Sequence, residues 1–498
     1  MVSVDTIFER LADYPGDLLQ TLLETAESRS VSLYISGGAL RDWLLGTSPK
    51  DLDFTISYDA EEFLREAKSR YGSGTIVPLG TRHDDTCRLV LDGLSVDVSG
   101  FRGGSATIRE DLSRRDFTVN ALSADFQEIF TGGQEIEIID PMNGIEDLQR
   151  KLIRACPGAF SDDPLRLLRA FRFAALLGFE IVPETLASIS AKANLIGLSA
   201  AERIRYELEQ IMLSPRAYPA FAAMHAAGLV EWIAPELSEG DGVSQPAFHH
   251  LDVLQHNLFA LDCIERIISA PEEFFPENRR AVSSYLADNG RRAAVKWAAL
   301  FHDVGKPESR DILTDKDDRI TFYGHDEKGA LRFKEFAERL RWSRADRERV
   351  VRLIAMHMHP FHLGNTLREE GHLSQRAQMK ICRKAGDDLA GLFLVAMADS
   401  MAGQGEDKVD SIEEELACLF DRLETLNREK LLPVLSGPKL LTGHDLADTL
   451  GIPPGPVFRE ILETLDMAII EGTVNDREGA LEWVRGFLME RDEHSGER

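Results

Sequence analysis

The sequence predicts an α/β domain over residues 1–140, followed by a long all-α region. From about residue 141 onward, strand signals nearly vanish and apolar residues recur at three- and four-residue spacing, as in amphipathic helices. Before that point, β-branched runs alternate with helical stretches, which is typical of an α/β domain. These runs are SLYIS, DLDFTIS, GTIVPLG, CRLVLDG, LSVDVSG and EIEIID.

The chain of 498 residues is long enough for two to four domains. A stretch rich in Pro, Gly and acidic residues interrupts the helical pattern at 234–250, and a second break follows at 433–446. We therefore predict four parts, which are a head at 1–140, a helical neck at 141–240, a further domain at 241–402 and a helical C-terminal region at 403–498.

The composition, 43% hydrophobic and 28% charged, is that of an ordinary soluble globular protein. A net charge of −27 argues against indiscriminate polyanion binding, but basic residues cluster in REDLSRRDF, RLLRAFRF and ERIRYELE, which keeps an RNA partner possible. No uninterrupted apolar run approaches the roughly 20 residues that span a bilayer. The five cysteines form no CxxC pair, which predicts reduced thiols and a cytoplasmic protein.

The stretch YISGGALRDWLLGTSPKDLDFTIS, residues 34–57, combines two adjacent glycines, a helical pattern and Asp-Leu-Asp in a predicted strand. Residues i and i+2 of a strand point to the same face, so we expect Asp51 and Asp53 to project together. Two neighbouring carboxylates repel each other unless a cation lies between them. Hard divalent ions such as Mg²⁺ accept these ligands together with phosphate oxygens.

The glycine pair supports the same chemistry. Gly37 and Gly38 let backbone N–H groups approach an anion at the start of the next helix, and Arg41 adds a guanidinium one turn later. Together with the carboxylates, this predicts a nucleoside triphosphate site for metal-assisted attack of a hydroxyl on an α-phosphate. The spacing alone is equally compatible with a glycine turn and two solvated acids on an edge strand.

The motif GGALRDWLLG…DLDF resembles the signature of the DNA polymerase β-type nucleotidyltransferases, and within them the class II tRNA nucleotidyltransferases and bacterial poly(A) polymerases. The resemblance implies a polymerase β-like head with a third carboxylate, for which Asp97 is the candidate. EDLSRRDFTVNAL, residues 110–122, is similar to the next family motif. By resemblance, nucleotide contacts fall to Arg114, Arg115, Asp116 and Asn120, although RRD alone is more often a surface charge cluster.

SDDPLRLLRAFRF, residues 161–173, opens with helix N-cap residues and predicts a base-recognition helix. Asp163 and Arg166 are expected to share one face of this helix, and Arg169 extends that face. An acceptor beside a donor fork matches the amino group and ring nitrogen of cytosine or adenine and disfavours uracil and guanine. The alternative is an intrahelical ion pair. In the following element, Arg203 and Glu207 are expected to brace this helix.

The segment between VDVSGFR and EDLSRRDF is shorter than the flexible loop usual in CCA-adding members of the family. Such a shortening resembles the enzymes that add only two cytidines. The resemblance therefore implies addition of CMP from CTP to the 3′ end of tRNA, with AMP addition from ATP and poly(A) synthesis as alternatives.

A second series of residues resembles the HD phosphohydrolase superfamily, because His302-Asp303 is followed closely by Gly-Lys. Imidazole and carboxylate ligands suit transition metals, and an adjacent His-Asp can bridge two ions. The expected ligands, with His359 as a rival to His357, are His256, His302, Asp303, His325, His357 and Asp399. The resemblance implies a phosphatase or 2′,3′-cyclic phosphodiesterase, the alternative being a helical module kept for folding or RNA binding. The C-terminal segment resembles the family's RNA-facing tail.

Overall fold

The structure, a computed structural model, describes residues 11, 14–47, 49, 51–79, 85–91, 93–131, 136–313 and 319–495. The chain divides into two units, Met1–Pro235 and Glu236–Arg498. The first unit holds the α/β head and a group of helices, and the second is almost entirely helical. The predicted fold class is therefore confirmed.

A mixed seven-stranded sheet forms the centre of the head, with strand order β3-β4-β5-β2-β1-β6-β7. Neighbouring strands are antiparallel except for β2 and β5, which run parallel. Its strands are β1 Leu33–Ser36, β2 Leu52–Ile56, β3 Thr75–Pro78, β4 Thr86–Leu91, β5 Leu94–Gly100, β6 Ser123–Asp125 and β7 Ile138–Ile139. A separate two-stranded parallel sheet pairs β8 Leu152–Ile153 with β9 Glu180–Ile181.

The two faces of the sheet differ in polarity. In β2, Leu52, Phe54 and Ile56 are buried, and the ring of Phe54 packs edge-on against Phe126 at 4.8 Å. Asp53 alternates with these residues and therefore lies on the opposite face, as the strand period of two requires. The same alternation in β5 places its polar side chains on that face. The sheet thus separates an apolar core from a polar surface.

The helices of the first unit follow clear local signals. For example, the third helix begins at the N-cap Asp59, which accepts a hydrogen bond from the N–H of Glu62 at 2.7 Å, and ends at Gly72 with φ 91°. Its helices are α1 Gly16–Ser28, α2 Gly38–Leu44, α3 Ala60–Tyr71, α4 Ile108–Ser113, α5 Phe126–Phe130, α6 Gly144–Gln149, α7 Ala159–Asp162, α8 Arg166–Leu177, α9 Pro183–Lys192, α10 Ala201–Leu213, α11 Ala217–Ala226 and α12 Val230–Ile233.

The second unit packs its helices around α23, whose side chains are buried along nearly the whole length. A short antiparallel pair, β10 Asp311–Leu313 and β11 Arg319–Thr321, lies between two of the helices. The helices, of which α13 starts at the boundary, are α13 Pro235–Ser238, α14 Val253–Ser269, α15 Pro271–Phe274, α16 Arg279–Leu286, α17 Asn289–Phe301, α18 Lys306–Ser309, α19 His325–Arg339, α20 Arg344–Met356, α21 His359–Glu370, α22 Gln375–Ala385, α23 Leu389–Ala402, α24 Ile412–Leu426, α25 Leu432–Ser436, α26 Gly443–Asp448, α27 Pro456–Ile470 and α28 Arg477–Ser495.

Throughout the described ranges, none of these helices has the length and apolar character that a bilayer crossing needs. All five cysteines are free thiols, and only Cys418 is exposed.

The packing of α6 against the segment before β6 leaves no room for a side chain at Gly144. A Cβ atom there would lie 2.1 Å from the backbone carbonyl oxygen of Thr118. We expect Gly144→Ala to lower the free energy of unfolding by about 2 kcal/mol, because the backbone must shift to admit the methyl group. Urea denaturation followed by tryptophan fluorescence measures this loss.

Gly197→Ala is the matched control, since no atom lies within 4 Å of the added Cβ. Its effect should stay within about 0.5 kcal/mol. Equal stability of the two variants would contradict the packing described here.

Candidate active sites

A cleft of about 700 Å³ opens on the polar face of the sheet in the first unit. Its walls come from the start of α2, from β2 and β5, and from the helices α8 and α10. The predicted residues that line it are Gly37, Gly38, Arg41, Asp51, Asp53, Asp97, Arg115, Asp116, Asn120, Asp163, Arg166 and Arg169. The fold therefore gathers into one cavity residues that lie as many as 132 positions apart, from Gly37 to Arg169.

The two glycines allow the chain to pass very close to charged groups. Gly37 has φ 69°, and a Cβ atom there would stand 2.7 Å from a guanidinium nitrogen of Arg115. At Gly38 a Cβ would stand 3.2 Å from a carboxylate oxygen of Asp53. The backbone N–H of Ala39 donates to this same carboxylate at 3.3 Å. A side chain at either glycine would therefore obstruct the floor of the cleft.

The carboxylates meet because β2 and β5 are parallel and place Asp53 directly beside Asp97. Asp51 lies just before β2 and accepts a hydrogen bond from the hydroxyl of Ser95 at 2.5 Å. Burial raises the pKa of Asp53 to about 6, and the neighbouring Asp97 acts in the same direction. Keeping the buried Asp53 carboxylate ionised at pH 7 therefore costs free energy. A divalent cation bound among the carboxylates would offset this cost. The donor set fits a hard cation such as Mg²⁺.

Arg88 is a residue of this site that the sequence analysis missed. Its guanidinium donates to both oxygens of Asp97, at 2.7 and 2.8 Å, and reaches Asp51 at 3.3 Å. Asp53, by contrast, forms no ion pair within 4.0 Å in the part of the chain that the structure describes. Finding Arg88 requires the antiparallel register that sets it opposite Asp97, and local sequence does not specify that register.

A chain of hydrogen bonds connects α2 to α8 through Asp116. Arg41 donates to the side-chain oxygen of Asn120 at 2.7 Å, and the amide of Asn120 donates to Asp116 at 3.0 Å. Arg169 donates twice to the other oxygen of Asp116, at 2.9 and 2.6 Å. Although burial opposes it, these arginine and amide contacts hold the pKa of Asp116 well below its usual range. The carboxylate therefore stays ionised and orients the cations around it.

The adjacent arginines Arg114 and Arg115 point to different places. Arg115 is buried in the cleft wall and donates to the hydroxyl of Thr55 at 2.8 Å. Burial, reinforced by Arg102, lowers the pKa of Arg115 to about 10. Arg114 is exposed, packs near Gly103 and does not line the cleft. Its expected contact with a nucleotide remains a prediction without support from this geometry.

The prediction that Asp163 and Arg166 share one face of a helix is wrong. Asp163 has extended backbone angles and caps α7, while Arg166 is the first residue of α8. Proline at position 164 favours this extended conformation in the residue before it. The carboxylate of Asp163 pairs with Arg203 at 2.8 Å, and Arg166 donates to two backbone carbonyls at 3.3 Å. Both side chains nevertheless line the cleft.

Arg203 and Glu207, both on α10, form ion pairs with residues on α8 or just before it. The buried Glu207 lies 3.1 Å from Arg172 and 3.8 Å from Arg169. These contacts agree with the expectation that Arg203 and Glu207 brace the preceding helix. Arg203 also borders the cleft.

The segment that joins β5 to α4, residues 101–107, is short and held by local hydrogen bonds. The N–H of Arg102 donates to the buried carboxylate of Asp111 at 2.8 Å, and its guanidinium reaches the same group at 3.0 Å. The N–H of Ala106 donates to Glu110 at 2.8 Å. These contacts form a closed turn at the cleft margin, which leaves no long loop there.

A second site lies in the C-terminal unit and contains all six expected HD residues. Two groups have ligand atoms within 4.8 Å of one another, and both include Asp303. The first consists of His256, His302, Asp303 and Asp399, and the second of Asp303, His325 and His357. The two oxygens of Asp303 face different groups, since Oδ2 lies 3.3 Å from His302 and Oδ1 lies 3.3 Å from His325. The arrangement fits two metal ions bridged by one carboxylate.

The histidine rings are oriented for metal binding by backbone contacts. The Nδ1 atoms of His302, His325 and His357 lie 2.7–2.8 Å from the carbonyl oxygens of Ala299, Phe322 and Ile354, respectively. Donation from Nδ1 leaves the Nε2 lone pairs directed to the centre, as in metal-ligating histidines. Neighbouring Nε2 atoms lie 3.1–3.2 Å apart, close to the roughly 3.0–3.4 Å expected between ligands at about 2.1 Å from one ion.

Three further observations concern this metal-ligand cluster. Burial, with His325 and His302, lowers the pKa of His357 to about 3, which favours the neutral imidazole that metals bind. Lys306 lies 2.5 Å from Asp303 and donates to Gln245 at 2.6 Å, a contact that sequence did not indicate. His359, the rival ligand, lies outside the two groups, with its ring near Lys384.

The Asp116 network generates a stability prediction. We expect Asp116→Asn to lower the free energy of unfolding by about 2–3 kcal/mol at pH 7, because it removes the charge that Arg169 binds. The low pKa of Asp116 contributes stability above its unfolded value of about 4, and this is lost as pH falls towards the folded-state value. Urea denaturation should therefore show the difference between wild type and variant shrinking below about pH 4.

Glu61→Gln is the control, because its partner Arg65 is exposed and such pairs contribute about 0.5 kcal/mol or less. A loss at Asp116 no larger than this control would show that the network does not hold the cleft together.

Comparison with known proteins places these sites in a family. Family models match three parts of the chain, described as the poly A polymerase head domain at 33–154, the probable RNA and SrmB-binding site of polymerase A at 178–240, and the HD domain at 279–426. The chain is similar to a CC-adding tRNA nucleotidyltransferase of Thermus thermophilus, with 32% identity over 461 residues that cover 91% of this chain and 92% of the relative.

It is also similar to an A-adding tRNA nucleotidyltransferase of Deinococcus radiodurans, with 30% identity over 462 residues that cover 91% of this chain and 95% of the relative. Among solved structures, a CCA-adding enzyme in complex with CTP shares the fold, with a TM-score of 0.60, 21% identity and 98% of each chain covered. The chain therefore belongs to the class II tRNA nucleotidyltransferase and poly(A) polymerase family, and it carries an HD domain.

Proposed function

We propose that this nucleotidyltransferase adds CMP from CTP to the 3′ end of tRNA, without a template, to build or repair the CCA terminus. The observation that carries the proposal is the Asp53 carboxylate, which faces the glycine pair and forms no ion pair within 4.0 Å among the described residues. Burial and Asp97 raise its pKa to about 6. A site of this kind favours a divalent cation and an anionic ligand together. CTP and the tRNA 3′-hydroxyl supply the phosphates and the nucleophile.

In this proposal, Asp51 and Asp53 would hold Mg²⁺, which when bound would supply Lewis-acid activation of the α-phosphate. Asp97 belongs to the same acidic face, and its ion pair with Arg88 fixes its orientation. The cleft surface around Gly37 and Gly38 admits the triphosphate. The 3′-oxygen forms the new bond to the α-phosphorus, and the bond from that phosphorus to the oxygen bridging the α- and β-phosphates breaks. The hydroxyl proton passes to solvent and pyrophosphate leaves.

Arginines neutralise the triphosphate and read the base. Arg41, Arg115, Asp163, Arg166 and Arg169 all line the cleft. We assign the first two to the phosphates and the other three to the base. Recognition of cytosine needs one acceptor for its amino group and one donor for its ring nitrogen. Asp163 and Arg166 provide this pair if the nucleotide competes with Arg203 for the Asp163 carboxylate.

We further propose that addition stops after two cytidines. The closed seven-residue turn at 101–107 supports this, because the family resemblance associates a shortened loop with CC-adding enzymes. The names of the relatives include both CC-adding and A-adding enzymes and do not decide the matter. ATP use and poly(A) synthesis are the alternatives that the assay below distinguishes.

The proposal also covers the domain limits, the cellular location and the metals. The head, neck, HD domain and tail have the limits 1–140, 141–240, 241–402 and 403–498, and the tail contacts tRNA. The free thiols support a cytoplasmic location. Mg²⁺ is proposed for the head, and a transition metal for the histidine-rich centre.

The primary experiment supplies purified protein with tRNA ending before CCA and with CTP, ATP or both. We expect products that are two nucleotides longer with CTP and no further extension when ATP is added, as read on a sequencing gel. A third nucleotide would show full CCA addition, and long extension with ATP alone would show poly(A) synthesis. Transfer of AMP only to tRNA ending in CC would show an A-adding enzyme.

Asp53→Asn tests the catalytic assignment. We expect at least a 1,000-fold loss of CMP transfer, because the metal loses a ligand at the reacting phosphate, with the folded state retained. Glu61→Gln, an exposed substitution in the same unit, should leave the rate unchanged. Transfer by Asp53→Asn at near wild-type rate would remove the head from consideration as the catalytic site.

A second activity is favoured by the two ligand groups that share Asp303. We propose that the HD domain hydrolyses 2′,3′-cyclic nucleotides or phosphomonoesters with a divalent transition metal. The buried, oriented imidazoles are the supporting observation, since a domain kept only for folding gives no reason for six convergent ligands.

His302→Ala should abolish Mn²⁺-, Co²⁺- or Ni²⁺-dependent hydrolysis of 2′,3′-cyclic AMP, because it removes a ligand from the first group. His359→Ala is the matched control and should retain hydrolysis, since that ring lies outside both groups. Asp53→Asn should also retain it. Hydrolysis that is absent from the wild type with all three metals, or unchanged in His302→Ala, would contradict a second activity.

A further inference from the structure

The ring of Phe173 lies at the meeting point of three cleft arginines. Phe173 is on α8, is 7% exposed and lines the cleft. The guanidinium carbon of Arg172 lies 4.5 Å from its ring centroid, that of Arg41 lies at 5.2 Å and that of Arg169 at 5.3 Å. All three are within the roughly 6 Å range of cation–π attraction.

The three cations would otherwise oppose one another. Burial lowers the pKa of Arg172, and the neighbouring charge of Arg169 acts in the same direction. Each arginine has its own polar partner, which for Arg41 is Asn120 and for Arg169 is Asp116. These partners hold each guanidinium separately, whereas the negatively polarised face of the ring attracts all three. The ring is thus the shared contact that sets their spacing.

The position of the Phe173 ring is fixed by a second aromatic ring. Phe117 packs edge-on against it, with centroids 5.7 Å apart and an interplanar angle of 78°. Phe117 is fully buried and begins the segment that carries Asn120. Because a T-shaped pair has a defined geometry, the ring cannot turn freely to follow the arginines. It therefore serves as a fixed reference.

The arginines come from two different elements. Arg41 is on α2, three residues after the glycine pair, and Arg169 and Arg172 are on α8. In the proposed function, α2 lies at the phosphate end of the nucleotide and α8 at the base end. We propose that Phe173 is a positioning residue whose ring face orders Arg41, Arg169 and Arg172, so that phosphate binding and base selection are coupled. This inference rests on the proposed function of the cleft.

The test replaces Phe173 by 4-fluoro-, 3,5-difluoro- and pentafluorophenylalanine, which weaken and then reverse the charge of the ring face at nearly constant shape. We expect the Kd for CTP, measured by calorimetry, to rise stepwise to about ten-fold. The KM for CTP in CMP addition should rise in parallel, kcat should change less than three-fold, and the preference for CTP over UTP should fall. Phe173→Tyr should retain wild-type values, and Phe173→Leu should resemble the pentafluoro protein.

Pentafluorophenylalanine at Phe171 is the matched control, because this residue is on the same helix and fully buried, and no arginine lies over its ring among the described residues. It should leave the Kd for CTP unchanged. A Kd that is the same across the series at Phe173 would overturn the inference, even if the wild type adds CMP. If the wild type binds CTP but adds no CMP, the proposed function fails, and the Kd series still decides the role of Phe173.

Discussion

The first unit depends on one electrostatic constraint, which is the placement of the Asp53 carboxylate beside Asp97 on parallel strands. Burial and this neighbour raise the pKa of Asp53 to about 6, so its ionised form requires a positive partner. Arg88 supplies one for Asp97 and reaches Asp51, but Asp53 faces the cleft and the backbone at Gly38. Glycine is needed there because a side chain would fill the space between carboxylate and backbone. In the proposed function, a divalent cation supplies that positive partner.

A few buried acidic and amide side chains hold the arginines of the cleft in place. Asp116 binds Arg169 and, through Asn120, orients Arg41, while Glu207 lies against Arg172. Each acid is buried, so the arginines are held in place before any ligand arrives. Pre-ordered cations lose little conformational entropy on binding a polyphosphate, which favours both affinity and selectivity. The aromatic ring of Phe173 adds a shared contact to these separate pairs.

Much of this architecture could be predicted from local sequence. The runs around Asp53 and Asp97 became β2 and β5, and the resemblance to the HD superfamily identified the six residues that meet in the second unit. β6 was missed because its three residues, Ser-Ala-Asp, carry no β-branched pattern, and it is specified by its pairing with β1 and β7. Arg88 was missed because its role depends on strand register. The prediction that Asp163 lies on the same helix face as Arg166 was wrong because the following proline favours an extended backbone at Asp163.

In the proposed site, Asp51 and Asp53 share a divalent ion with a triphosphate that lies over Gly37 and Gly38. Crystals of the protein grown with Mn²⁺ and a non-hydrolysable CTP analogue test it most directly, through anomalous diffraction at the manganese edge. An anomalous peak within bonding distance of both carboxylates, with the phosphates next to the glycine pair, is the expected result. Manganese and nucleotide bound at another location, with these acids facing only Arg88 and solvent, would contradict it.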